Sequence, residues 1–179
     1  MRAPRVTPGG RRQLGPVNHL LGRLLSRGAG VRDAHLFTTL GRNRGLFRAW
    51  LLYSGALMLR GRLPRRETEL VILRVAHRCD SEYERQHHVR LGARAGLARE
   101  EIERVRADDL AGWKPSDAVL LAATDRLLDE DDVDDATWRR LRAFWDEPQA
   151  IELCLLVGQY RGLATTIRTL GIAPDRSTD

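Results

Sequence analysis

The chain has 179 residues and 42% of them are hydrophobic, so it is large and apolar enough for one buried core, which excludes disorder throughout. Two cysteines, Cys79 and Cys154, are too few for a disulfide framework and favour a reducing, cytoplasmic location. No apolar run approaches the roughly 20 residues needed to cross a bilayer, and the N-terminus lacks a signal-peptide core, so we expect no membrane partner.

The N-terminal part carries the excess positive charge behind the formal net charge of +6. Residues 1–62 hold twelve Arg against one acidic residue, Asp33. Such an arm can attract nucleic acid, but Lys114 is the only Lys of the chain, which indicates a coding bias towards Arg. Because no nucleic-acid-binding motif accompanies the charge, we expect no nucleic-acid partner.

The composition also changes along this part of the chain. Residues 1–15 are rich in Arg, Pro and Gly and predict a disordered basic tail, followed by a single helical domain over residues 16–179. Helical spacing of apolar residues predicts helices over 17–25, 32–42 and 43–61. The last of these carries Trp50 and Tyr53, which we expect either in the core or in the wall of a substrate pocket.

Residues 65–97 predict two consecutive helices. Apolar residues of the first helix recur every three or four positions. Asp80 or Ser81 is suited to cap the second helix, because a short side-chain oxygen can accept free N–H groups of its first turn. Gly96 marks its end, where a left-handed conformation is easiest for glycine.

The remainder of the chain also predicts helices. We expect a short one over 98–107, one beginning at Pro115, one capped by Asp134 or Asp135, and a long one opened by Pro148. On that last helix five apolar or small residues predict the inward face: Ile151, Leu155, Gly158, Gly162 and Leu163. The fold class is therefore all-α.

Polar side chains share one face of the second helix in residues 65–97. Ser81, Glu84 and His88 step by three or four residues together with apolar positions, so burial of that face would take the carboxylate and imidazole inward. Glu84 and His88 are within reach of each other and form a candidate acid and base. Glu69 on the preceding helix could orient the imidazole. The alternative is an ordinary exposed pair on a solvated face.

Metal and thiol chemistry have weaker sequence support. Glu84 and His87 form one Glu-x-x-His motif, whereas di-iron bundles need two such motifs and two further glutamates, so we expect no metal. Cys79 precedes a helix N-terminus, which favours a reactive thiol, although such a cysteine is more often a small buried hydrophobe.

The run RETELVILRVAHRCDSEYERQHHVRLGARAGL resembles the signature segment of the carboxymuconolactone decarboxylase and alkylhydroperoxidase-D-like (AhpD-like) superfamily. The segments RAWLLYSGALMLRGRLP and AIELCLLVGQYRGLATTIRTLGI resemble the same superfamily before and after it, so the resemblance extends from about Phe47 onward. It implies an AhpD-like bundle of about six to eight helices that assembles into a homo-oligomer, either a dimer, a trimer or a hexamer, with the site near a subunit interface.

The resemblance includes one departure that bears on activity. The peroxidase branch has a glutamate, two cysteines separated by two residues, and a histidine four residues after the second cysteine. Glu69 and His88 match the glutamate and the histidine, but Ser81 and Glu84 stand at the cysteine positions. Without a dithiol, peroxide reduction lacks its redox pair, and the sequence resembles the decarboxylase-like branch instead.

The sequence therefore predicts a cofactor-independent lyase or isomerase that decarboxylates a small molecule or moves a proton beside a carbonyl. His88 would transfer the proton, Glu84 would tune or share it, and Glu69 would orient the imidazole. Tyr83 would donate a hydrogen bond to the substrate, a carboxylate or a lactone, or to the developing oxyanion. The other residues expected to bind the substrate are Ser81, His87, Trp50 and Tyr53. The alternatives are peroxide reduction through Cys79 and a non-catalytic binding or scaffold protein.

Overall fold

The computed structural model describes residues 3–175 and confirms the all-α prediction. These residues form nine helices and no strand, one helix more than the upper end of the predicted range. The helices are α1 (Arg11–Gly28), α2 (His35–Leu40), α3 (Arg44–Leu59), α4 (Arg65–Arg78), α5 (Glu82–Arg94), α6 (Arg99–Arg104), α7 (Pro115–Asp129), α8 (Asp135–Arg142) and α9 (Glu147–Leu170). None of the described helices is long and apolar enough to span a membrane.

The chain divides into two compact units, of which the first comprises residues 3–56 and 165–175. Its helix α1 bends at Gly15, where φ is +74°, just before Pro16. The helix begins at Arg11, inside the segment that the sequence assigns to a disordered tail, whereas Met1 and Arg2 lie outside the described residues. The division of the chain into a tail and one domain stays a prediction.

The second unit comprises residues 57–164 and has α4 at its centre. Every residue of α4 from Glu67 to Ala76 is buried, including polar ones, so this helix is enclosed on all sides. Apolar side chains of α7, α8 and α9 pack against it in one core cluster. A helix enclosed in this way must satisfy its charged side chains internally, because water does not reach them.

Arg74 shows how such a charge is accommodated. Its guanidinium donates two 2.7 Å hydrogen bonds to the carboxylate of Asp125 on α7, and it also donates to the carbonyl oxygens of Val105 and Ala107 at 2.6 and 2.7 Å. This set of bonds ties α4 to α7 and to the loop after α6. Burial of the Arg74 charge is thereby compensated within the unit.

The turn between α4 and α5 follows from local backbone conformation. Asp80 has a positive φ of 51°, and Ser81 occupies the N-cap position of α5. The Ser81 hydroxyl makes no capping hydrogen bond, which differs from the sequence expectation. At the other end, Gly96 has a φ of +99° and the N–H of Leu97 donates to the carbonyl of Gly92 at 2.9 Å, the Schellman arrangement expected after a helix.

The predicted inward face of α9 is wrong. Ile151 and Leu155 are 53% and 47% exposed, and Gly158 and Gly162 are also exposed. The buried stripe consists instead of Leu153, Leu156, Val157, Tyr160 and Ala164. Both sets of residues have helical spacing, so periodicity alone cannot choose between them.

Candidate active site

Glu69 is the most deeply buried acidic residue of the candidate site. Its position at the centre of α4 leaves it 0% exposed. Arg65, one turn earlier on the same helix, forms an ion pair with its Oε1 atom and donates a 2.7 Å hydrogen bond to the carbonyl of Met58. The guanidinium therefore balances the buried charge of Glu69 from the N-terminal side of the helix.

His88 meets Glu69 from the neighbouring helix α5. The Nδ1 atom of His88 lies 2.7 Å from the Oε2 atom of Glu69, the distance of a strong hydrogen bond. Because a carboxylate can only accept, Nδ1 carries the hydrogen and Nε2 has a free lone pair. The pair thus fixes the imidazole in one tautomer, with Nε2 available to accept a proton.

Glu84 lies one turn before His88 on α5 and is 2% exposed. Burial raises its pKa from 4.5 to about 8, and the nearby Ser81 hydroxyl offsets this rise in part. Neither carboxyl oxygen of Glu84 has a hydrogen-bond partner of good geometry in the described part of the chain. The expected pairing of Glu84 with His88 is therefore wrong: Glu69 pairs with the imidazole instead, and Glu84 is mainly protonated at neutral pH.

Tyr160 is a residue of this site that the sequence analysis missed. Its ring meets the ring of His88 edge to face, with centroids 5.2 Å apart and planes at 86°. Its hydroxyl donates to the sulfur of Met58 at 3.2 Å. Burial raises its pKa well above the ordinary value of 10, and the carboxylates of Glu69 and Glu84 raise it further, opposed by Arg65. Tyr160 is therefore a neutral phenol.

Tyr83 and His87 lie together on α5. Tyr83 is buried, and its ring centroid is 5.0 Å from that of His87. His87 is half-buried, and its Nδ1 atom is 3.3 Å from a guanidinium nitrogen of Arg90. The tyrosine ring that packs against His88 is that of Tyr160 on α9. Substrate binding by Tyr83, Ser81 and His87 stays a prediction.

Trp50 and Tyr53 belong to the first unit, where the ring of Trp50 packs against Phe37 and Phe47 at centroid distances of 6.3 and 6.2 Å. Their role in substrate binding also stays a prediction. Cys79 is a half-buried cysteine outside any disulfide at the C-terminal end of α4, where it packs against the core cluster of the second unit.

Residues 3–175 contain no group of three or more His, Cys, Asp or Glu side chains that could hold a metal ion. The described groups around His88 offer proton transfer instead. They comprise one oriented imidazole, one charge-balanced carboxylate, one buried carboxyl with a raised pKa, and one neutral phenol. Two carboxyl groups in such different surroundings can serve different acid-base roles.

The fold and these side chains define an all-α protein with a buried cluster of acid-base groups. Residues 44–125 match the model of the Carboxymuconolactone decarboxylase family, a segment that contains both Glu69 and His88. The match confirms that the chain resembles carboxymuconolactone decarboxylase and AhpD-like proteins, as the sequence motifs indicate. No curated protein sequence matches the chain.

Solved structures extend this likeness to nearly the whole chain. A peroxidase-related protein from Ralstonia eutropha JMP134, described as an alkylhydroperoxidase AhpD core, is 19% identical with a TM-score of 0.82, over 97% of this chain and 94% of its own. A peroxidase-related protein from Silicibacter sp. TM1040 is 13% identical with a TM-score of 0.81, over 98% and 95%. The debrominase Bmp8 is 15% identical with a TM-score of 0.79, over 95% and 91%. At these identities the structures establish a shared fold.

Proposed function

We propose that the protein is a cofactor-independent enzyme that transfers a proton beside a carbonyl group, as a lyase or an isomerase of the carboxymuconolactone decarboxylase-like type. The observation that carries the proposal is the buried hydrogen bond between Glu69 and His88, one helical turn from the buried carboxyl group of Glu84, which has no hydrogen-bond partner of good geometry among the described residues. Unpaired buried polar groups are costly and uncommon. A ligand that hydrogen-bonds to Glu84 would remove that cost.

The residues divide the proton transfer between them. The Nε2 atom of His88 accepts a proton from a carbon next to a carbonyl, while Glu69 holds the ring and stabilises the imidazolium that forms. Glu84, protonated near neutral pH, donates a hydrogen bond or a proton to the substrate. A substrate that carries a carboxylate could bind to the partly exposed guanidinium of Arg65, which pairs with Glu69.

Proton exchange provides a test that does not depend on the natural substrate. The protein is incubated in D₂O with 2-keto acids, unsaturated lactones and a bromopyrrole, the last because the debrominase Bmp8 has been solved with 2,3,4-tribromopyrrole. Deuterium incorporation is followed by NMR, and release of CO₂ is followed in parallel. We expect exchange with the wild type and its loss in His88→Ala.

The matched control is His19→Ala, which removes an imidazole from α1 in the first unit. Exchange should be preserved in this variant, and circular dichroism should show the same helical content in all three proteins. Exchange that persists in His88→Ala would remove His88 from the mechanism. Absence of exchange and of CO₂ release in the wild type across the panel would contradict the proposed function itself.

Peroxide reduction is the second candidate, because two of the structural neighbours are described as peroxidase-related. The chain has no Cys-x-x-Cys pair, and Cys79 is the only cysteine near the start of α5. A dithiol mechanism needs a second sulfur to resolve the oxidised one. The acid-base proposal therefore explains more of the buried side chains.

We also propose a homo-oligomer, which the superfamily resemblance implies. Its support is the exposed apolar side of α9, where Ile151 and Leu155 are 53% and 47% exposed. Exposed apolar patches of this kind often mark protein-protein contacts. Sedimentation velocity should give a mass above 20.3 kDa for the wild type and a smaller species for Ile151→Glu. A wild type that sediments as a monomer at micromolar concentration would contradict it.

A further inference from the structure

Tyr160 belongs to the apolar core cluster of the second unit and also contacts the candidate site. It projects from the buried stripe of α9 and is 7% exposed, yet its ring lies edge to face with the ring of His88. His88 in turn is held by Glu69 at 2.7 Å. The ring of a tyrosine thus lies against the imidazole that the proposed function uses.

The hydroxyl of Tyr160 is held by a weak partner. In the described part of the chain it donates to the thioether sulfur of Met58 at 3.2 Å. A thioether is a poor acceptor, whereas a buried tyrosine hydroxyl usually finds an oxygen or nitrogen acceptor. The carbonyl oxygen of Met58 accepts its hydrogen bond from Arg65, at 2.7 Å, and not from Tyr160. The Tyr160 hydroxyl can therefore leave the Met58 sulfur for a stronger acceptor at little cost in free energy.

The surroundings also keep the phenol protonated. Burial and the carboxylates of Glu69 and Glu84 hold the pKa of Tyr160 well above its ordinary value. It consequently remains an O–H donor at neutral pH. A donor of this type stabilises negative charge on an oxygen without giving up its own proton.

We propose that Tyr160 binds the oxyanion of the reaction intermediate: its hydroxyl leaves the sulfur of Met58 and donates a hydrogen bond to the substrate oxygen on which negative charge develops. The ligand class is a carbonyl compound that becomes an enolate, so this assignment rests on the proposed function.

The step balances within the site. When Nε2 of His88 removes the proton from carbon, the C–H electron pair forms the new C=C bond and the carbonyl π pair moves to oxygen. In a decarboxylation, the electron pair of the breaking C–C bond forms the new C=C bond as CO₂ leaves, and the carbonyl π pair again moves to oxygen. The enolate oxygen accepts the hydrogen bond from Tyr160. After proton removal the imidazolium of His88 returns its proton to carbon; after loss of CO₂ the carboxyl group of Glu84 donates the proton to carbon and is reprotonated from water.

Binding of 4-nitrophenol tests this assignment independently of turnover. Its phenolate presents a delocalised oxyanion like that of an enolate, and its absorbance reports binding. We expect the wild type to bind it and Tyr160→Phe to bind about 10- to 100-fold more weakly, the range for losing a hydrogen bond to a charged group. Equal affinity of the two proteins, or no binding to the wild type, would overturn the proposal.

Met58→Leu is the second variant, because it removes the sulfur and keeps an apolar side chain of similar size. Its affinity for 4-nitrophenol should equal or exceed that of the wild type, since the hydroxyl of Tyr160 no longer has to leave a partner. Weaker binding would show that the probe depends on the packing of Met58 and would count against Tyr160. The comparison remains informative if Tyr160→Phe folds poorly.

The deuterium exchange assay separates failure of this assignment from failure of the proposed function. If wild-type exchange is lost in His88→Ala but unchanged in Tyr160→Phe, the proton-transfer function stands and the role of Tyr160 is wrong. We expect Tyr160→Phe to lower the exchange rate by at least about tenfold at saturating substrate, because the lost bond forms with the intermediate.

Discussion

Glu84→Gln tests whether burial keeps the Glu84 carboxyl group protonated. The side chain is 2% exposed, and burial raises its pKa from 4.5 to about 8. That difference corresponds to about 5 kcal/mol at about 1.4 kcal/mol per pH unit. Glutamine has nearly the same shape and no titrating group. The substitution therefore removes the pH dependence and retains most of the packing.

The sign of the effect follows from proton binding. Below pH 4.5 the folded and unfolded states both carry the proton of Glu84. Between pH 4.5 and about 8 the unfolded state loses this proton while the folded state keeps it, so unfolding becomes more favourable as the pH rises. Above about pH 8 both states are ionised and the loss of stability is complete. Stability from this group is thus present at low pH and lost towards pH 8.

Urea unfolding followed by circular dichroism measures the effect at a series of pH values. Relative to Glu84→Gln, the wild type should lose about 3 to 5 kcal/mol of unfolding free energy between about pH 4.5 and about pH 8.5. Glu82→Gln is the matched control, because Glu82 lies on the same helix with a side chain that is 58% exposed. Its curve should run parallel to that of the wild type. Parallel curves for Glu84→Gln and the wild type would refute the reasoning.

Three further predictions concern stability and the alternative chemistry. Arg74→Met should lower the unfolding free energy by about 3 to 5 kcal/mol, because it leaves the carboxylate of Asp125 without its buried partner; a loss below about 1 kcal/mol in urea unfolding would contradict this. Asp134→Ala should lower the urea midpoint, since Asp134 accepts from two backbone N–H groups at the start of α8, and an unchanged midpoint would argue against that cap. Cys79→Ser should leave any peroxide consumption unchanged, and a marked drop in the rate would revive the thiol mechanism.

The polar face of α5 shows what the sequence could predict. Spacing alone placed Glu84 and His88 on a face shared with apolar residues, and the structure buries both. The hydrogen-bond partner of His88 does not follow from spacing. A distance of four residues on one helix made Glu84 the expected partner of His88, but Glu69 reaches the imidazole from α4. Contacts between helices depend on how the helices cross, which a periodicity does not give.

Tyr160 was missed for a related physical reason. It stands in a helix whose apolar residues cover more than one side, so its stripe could not be distinguished from the exposed side that carries Ile151 and Leu155. A usable signal was present nonetheless. Tyr160 lies three and four residues from two buried apolar positions, Val157 and Leu156, and a tyrosine on a buried stripe needs an internal partner for its hydroxyl.

The two positions that correspond to cysteines in the peroxidase branch bear most directly on function. Ser81 and Glu84 stand there, both buried, and neither side chain has a hydrogen bond of good geometry within residues 3–175. A protein that needed only stable packing at these positions would favour small apolar residues, since buried unpaired polar groups reduce stability. The buried carboxyl group of Glu84, with its pKa raised to about 8, is better explained by the proposed proton transfer to a bound molecule. Where the peroxidase branch that this chain resembles has two cysteines, the chain thus has a hydroxyl group and a buried carboxyl group.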